Sequence, residues 1–301
     1  MELSQGEKMT EKKKTTKHVV DNILDLVKIW QKKSYNGITY PLVDGIIFSN
    51  TGSKGRTPLF DASLNRTGDI FAYWRDEEKG ILEISAPEPG YEIKAPKSMA
   101  NYFRRTIFHF NGAKNKYIPY LDVTHLDVSK STDFSGCFKN FGCTKGSKIK
   151  GLESWDVGQG KNFSWMFEKA FSDNEEINLD LSSWQFSQVN SISMNGMFRE
   201  FAVDTENVTL NLNKWNVATV GNFSQMFCRF ALEAKTVNII GIEGWTVTQG
   251  AFLVGMFGGF APISNCRLDL SNWSKEQKLS AYHEYFSLET FFKIKEPEWA
   301  N

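Results

Sequence analysis

Residues 210–227 read LNLNKWNVATVGNFSQMF. Leu210 and Leu212 alternate with Asn211 and Asn213, a period of two that predicts a strand with one buried face. Trp215 and Val217 continue the apolar side beyond it. Asn222 then precedes Phe223 and, four residues later, Phe227. A side chain that can accept hydrogen bonds from free backbone N–H groups, followed by aromatic residues on one face, predicts a short capped helix.

The same pattern recurs along the chain. It is found in LDVTHLDVSKSTDFSGCF (121–138), KGLESWDVGQGKNFSWMF (150–167), LDLSSWQFSQVNSISMNGMF (179–198) and IIGIEGWTVTQGAFLVGMF (239–257). Trp155, Trp184, Trp215, Trp245 and Trp273 are spaced 29, 31, 30 and 28 residues apart. Phe138, Phe167, Phe198, Phe227 and Phe257 keep step, at 29, 31, 29 and 30. Two registers drifting together identify a true internal repeat of about thirty residues.

Each unit is expected to contribute a strand and a short helix. The inward strand pairs are Leu121 and Val123, Leu179 and Leu181, Leu210 and Leu212, Ile240 and Ile242, and Leu268 and Leu270. Asp133, Asn162, Ser193 and Asn222 are the expected helix caps, and Phe252 takes that place in the fifth unit. One strand and one short helix cannot cover their own apolar faces, so the units must stack, with the Trp and Phe columns as a continuous core. The 24 Phe and 9 Trp in 301 residues then have a structural reason. The expected fold class is α+β: a leucine-rich-repeat-like solenoid with a small β-rich amino-terminal domain and a carboxy-terminal capping helix.

Composition narrows the function. Lys plus Arg and Asp plus Glu are each 35, so no net field draws the chain to nucleic acid or an anionic membrane. No stretch approaches the length of an apolar membrane span. Cys137, Cys143, Cys228 and Cys266 form no metal-type pair and are expected to be buried thiols. No nucleophile stands at motif spacing from any of the four histidines, and no phosphate-loop, dinucleotide or zinc-protease motif is present, so no enzyme, cofactor or metal site is expected.

The outward strand positions include Asp122, Glu153, Asp180, Asn211, Asn213, Glu243 and Asp269, with five acids and no base among them. These are the expected partner-binding residues, on a locally negative face suited to a basic protein segment or to a cation. Phosphates would be repelled there.

The expected organisation along the chain is as follows. Residues 1–18 form a Lys-rich disordered tail and 19–34 an amphipathic helix. Residues 35–118 form a β-rich domain whose segment GDIFAYWRDEEKGILEIS is a hairpin turning at Asp76–Gly80. Residues 119–273 are the repeats. Residues 274–301 are a helical cap, with Ser274 and Gln277 as its capping box and Leu279, Tyr282, Tyr285 and Phe286 as its apolar face.

The repeated L-x-L-S-x-W-x-V-x-x-V-x-x-F-S-x-M-F box, over about residues 100 to 273, resembles the BspA-type leucine-rich repeats of bacterial surface proteins. The resemblance implies an adhesin-like, non-enzymatic protein that binds a protein or glycan through its repeat surface, at the cell surface or secreted. The amino terminus has no apolar run of signal-peptide type. That leaves open a cytoplasmic, injected or virion-associated protein, acting as an effector that docks on a host protein or as a structural component.

Overall fold

The computed structural model describes residues 20–34, 43–104, 118–187, 191–248, 250–271, 273 and 294–295. It is a β-rich α+β fold with several small sheets, one α-helix and short 3-10 turns among those residues. The expected helical cap over 274–301 lies outside the described residues, except for the strand at Ile294–Lys295.

Helix α1 (Ile23–Ser34) starts where the Asn22 side chain accepts the Asp25 N–H at 3.3 Å. Its residues Ile23, Leu24, Leu26 and Val27 are buried. Trp30 meets Phe60 and Trp74, each at 5.7 Å between ring centroids. The next strands are β1 (Gly45–Ser49), β2 (Phe60–Asp61), β3 (Phe71–Asp76) and β4 (Ile81–Ser85). β3 and β4 are antiparallel, and their connection closes with the Gly80 N–H on the Glu77 carbonyl at 3.1 Å. Glu83 of β4 is buried, yet accepts hydrogen bonds from Arg56 at 3.0 Å and Arg75 at 3.2 Å. Burial pushes its carboxyl up, but the bonds from Arg56 and Ser49 and the Arg56 charge outweigh this and hold it below its usual range.

The chain continues through β5 (Ile93–Lys94), β6 (Tyr120–Asp122), β7 (Leu126–Asp127) and β8 (Lys148–Lys150). A six-stranded sheet has the order β2-β3-β4-β1-β6-β8, parallel from β4 to β8. The remaining strands are β9 (Glu176–Asp180), β10 (Ile192–Ser193), β11 (Asn207–Asn211), β12 (Val220–Asn222), β13 (Thr236–Ile240), β14 (Leu268–Asp269) and β15 (Ile294–Lys295). β9, β11 and β13 form a parallel sheet in which Leu179, Leu210 and Ile239 are partners, and β15 pairs in parallel with β14.

The aromatic columns are continuous. Trp155, Trp184, Trp215, Trp245 and Trp273 stack with centroid separations of 6.5, 6.3, 6.1 and 6.3 Å. The Phe column runs from Phe138 to Phe257 at 5.2 to 5.7 Å per step, and Phe103 extends it by one more ring at 5.3 Å from Phe138. Rings at these separations add about 0.5–1.5 kcal/mol per pair beyond their buried area.

The short helices expected after Asp133, Asn162, Ser193 and Asn222 are absent. These stretches are chains of tight turns instead. The N–H groups of Phe134, Gly136, Phe138 and Asn140 leave their own unit and donate to the carbonyls of Asn162, Ser164, Met166 and Glu168 at 2.7 to 2.9 Å. Alternate residues close local turns, as Cys137 does on Phe134 at 3.1 Å. The left-handed conformation recurs in register at Gly136, Trp165, Gly196, Gln225 and Gly255, and no helix can run through such positions. The capping residues do accept backbone N–H groups, two residues on: Asp133 from Ser135 at 3.0 Å, Asn162 from Ser164 at 3.1 Å, Asn222 from Ser224 at 2.9 Å. They start Asx turns. Half of the N–H groups in each of the first four boxes are thus satisfied only when the next unit is present.

Candidate interaction surface

Every strand of the stack ends in a tight turn, and the residues expected to bind a partner are found there. In four units the turn is opened by Asp or Asn. Asp122 accepts the Thr124 N–H at 3.1 Å, Asp180 the Ser182 N–H at 2.9 Å, Asn211 the Asn213 N–H at 3.1 Å and Asp269 the Ser271 N–H at 3.0 Å. In the other two units a left-handed glycine takes that place, followed by a 3-10 turn, and the acid reaches backward. Glu153 accepts the Gly151 N–H at 3.1 Å and Glu243 the Gly241 N–H at 3.0 Å. The acidic column is therefore brought together in space, and each carboxylate in it holds its own turn.

Burial raises the affinity of Asp122 and Asp180 for protons. Hydrogen bonds from Thr124 and Ser182 more than reverse this and leave both carboxyls below their usual range. Asp122 is nearly buried at 8% exposure, whereas Glu153, Asp180, Asn213, Glu243 and Asp269 are exposed.

The glycine turns carry one more residue than the Asx turns, which shifts the strand before them. Ile240, expected to face inward, is therefore 36% exposed, and Ile239 takes the inward place at 7%. The same shift in β8 puts Lys148 and Lys150 on the outside and turns Ile149 toward Leu121, its partner on β6. The outer face is consequently not uniformly acidic: Lys150 Nζ lies 3.4 Å from Asp122 Oδ2. The sequence signal is the Gly that opens GLESW and GIEGW where the other units have Asp or Asn.

The tryptophans are core. Trp184 Nε1 donates to the Leu152 carbonyl at 2.8 Å, Trp215 to Leu181 at 2.7 Å and Trp273 to Ile242 at 2.9 Å, so these three indoles are hydrogen-bonded to the preceding unit, whereas the buried Trp245 Nε1 has no hydrogen-bond partner among the described residues. Cys137 and Cys266 are buried, whereas Cys143 and Cys228 are only partly so, and none of the four is in a disulfide. Among the described residues no group of His, Cys, Asp and Glu could hold a metal ion, and no helix is long and apolar enough to cross a membrane.

Two features stand out on the surface. Phe252, in the column of Asp133, Asn162 and Asn222, is 63% exposed beside exposed Val254. The second feature is an interruption of the parallel ladder, since β8 closes one sheet and β9 closes another. A cleft of about 580 Å³ opens there, lined by Lys145, Lys148, Ile149, Glu176, Ile177 and Asn178 among others. The two units remain joined beyond both ends of the cleft. Asn174 accepts the Ser147 N–H at 3.1 Å and donates to the Gly142 carbonyl at 3.0 Å, and Trp184 bonds Leu152 on the far side.

No curated protein and no solved structure matches the chain. One family model matches it twice, over residues 97–229 and 168–299. The first match begins next to Ser98, the residue that bridges to Asp133 and opens the stacked turns. With its two matched segments spanning 97–299 of 301 residues, the chain belongs to the family described as Mycoplasma protein of unknown function, DUF285.

Proposed function

We propose that the repeats of this chain form a leucine-rich-repeat-like solenoid of BspA type, and that the chain is a non-enzymatic binding protein that recognises a protein partner through the outer surface of that stack. The observation that carries this reading is the division of labour within each unit. Most aromatic and aliphatic side chains of the repeats are buried in the stack, whereas the outward positions of β9, β11 and β13 vary among Glu176, Asn178, Asn207, Thr209, Thr236 and Asn238. A rigid, in-register frame with a variable polar face suits recognition, since side chains held on stacked strands lose little conformational freedom on binding.

The test is capture by the immobilised full chain from host and source-cell lysates, with and without prior treatment by protease or glycosidase. Capture abolished by protease is expected. Capture abolished only by glycosidase would reassign the partner as a glycan, and no capture under any condition would overturn the reading.

A further inference from the structure

The main-chain geometry around the cleft identifies what it lacks. On β8, the Lys148 N–H donates to the Pro119 carbonyl at 2.7 Å and the Lys150 carbonyl accepts the Val123 N–H at 2.8 Å. Residues 148 and 150 therefore turn their main chain toward β6, and by strand alternation the N–H and carbonyl of Ile149 point toward β9. On β9, the Glu175 carbonyl accepts the Asn207 N–H at 3.1 Å and the Leu181 N–H donates to Asn211 at 2.9 Å. The odd residues face β11, so the main-chain groups of Glu176, Asn178 and Asp180 point into the cleft. No ladder joins these two edges.

We propose that the cleft between β8 and β9 binds a short extended stretch of a partner polypeptide, which pairs with the free edge of β9. This rests on the reading of the chain as a protein-binding stack and locates its site. A strand edge offers donors and acceptors in alternation, repeating about every 6.6 Å, and another polypeptide backbone matches that repeat. The attachments beyond the two ends of the cleft confine the paired stretch to about three or four residues over the span from Glu176 to Asp180. Ile149, Ile177 and Leu179 supply an apolar floor for one aliphatic side chain. Lys148 on one lip and Glu176 on the other are both exposed, and they favour a segment with an acid and a base flanking that aliphatic residue. The Lys145–Glu175 ion pair, at 2.5 Å, marks the end of the cleft near the strand starts.

Amide hydrogen exchange of the full chain, read by NMR, tests the free edge directly. The amides of Ile149, Glu176, Asn178 and Asp180 are expected to exchange much faster than those of Ile177, Leu179 and Thr209. Equal protection would mean that the ladder is closed and would overturn the proposal.

Selection of a random heptapeptide phage library on the full chain tests the ligand. Enrichment is expected of peptides with a central aliphatic residue that slow exchange at Glu176, Asn178 and Asp180. Their binding should be lost in Asn178→Pro, which removes a cleft-facing N–H at an edge position where proline is tolerated, and weakened about tenfold in Glu176→Lys. No enrichment, or undiminished binding to Glu176→Lys, would overturn the cleft assignment. Protease-sensitive capture by the unaltered chain, if it persisted in that case, would leave the broader reading standing.

Discussion

Trp215 donates its indole Nε1–H to the carbonyl of Leu181 at 2.7 Å, across a unit boundary and 34 residues back along the chain. A large buried ring with one polar atom costs less in an apolar core when that atom finds a partner. Here the partner is a strand-end carbonyl of the preceding unit. At Trp184, Trp215 and Trp273 the repeated Trp is therefore both a rung of the core and a tie between units.

Trp184→Ala is expected to cost about 3–5 kcal/mol, because it removes the ring from between Trp155 and Trp215 and takes one of its two donors from the Leu152 carbonyl, which keeps the Trp155 N–H. Urea unfolding of the full chain measures this. Trp184→Phe should cost less, since it keeps most of the stacking and loses the bond.

The left-handed glycines make a paired comparison. Gly151 has φ 93°, and a Cβ there would lie 2.3 Å from the Thr124 nitrogen, whereas Gly146 has φ 78° and open space around it. Gly146→Ala should cost about 1 kcal/mol, the usual penalty for a side chain in that conformation. Gly151→Ala adds a backbone collision and should cost several-fold more, read as a difference in urea midpoints.

The turn acids should separate charge from geometry. Asp180→Asn is expected to leave the melting temperature nearly unchanged, because Asn211 already makes the same turn in the next unit. Asp180→Ala, which leaves the Ser182 N–H without its acceptor, should cost about 1 kcal/mol. Equal losses in the two variants would show that the charge, not the turn, is what the position supplies.

Acid should destabilise the fold through Glu83 and Asp122. Both carboxyls sit below their ordinary values of 4.5 and 3.8 in the folded chain, so the unfolded chain binds protons first as pH falls. Their contribution is complete above the ordinary carboxyl range and is lost as pH drops through it toward the folded values. Thermal melts from pH 7 down to pH 3 should show this fall, and Glu83→Gln should show a shallower one.

Much of the architecture is legible in the sequence because the repeat fixes side-chain identity at both ends of each unit. Trp215 and Phe227, compared with their counterparts at the same repeat positions, place the core from spacing alone. The turn boxes are not legible in that way, because Phe223 and Phe227, four apart and preceded by Asn222, satisfy a helix pattern and a stacked-turn pattern equally well. What separates the two is the left-handed backbone, which is visible in the sequence at Gly136, Gly196 and Gly255 but hidden at Trp165 and Gln225. Ile240 faces opposite to its expected direction because a one-residue insertion at a glycine reverses a period-two strand without altering its composition. The cleft leaves no trace in the sequence, since it arises from hydrogen bonds that are not made.

The indole bonds that reach backward also give the molecule a direction of growth. Trp184, Trp215 and Trp273 each need a carbonyl from the unit before, not the unit after. A ribosome releases the chain amino end first, so each of these three tryptophans emerges after the residue that supplies its acceptor.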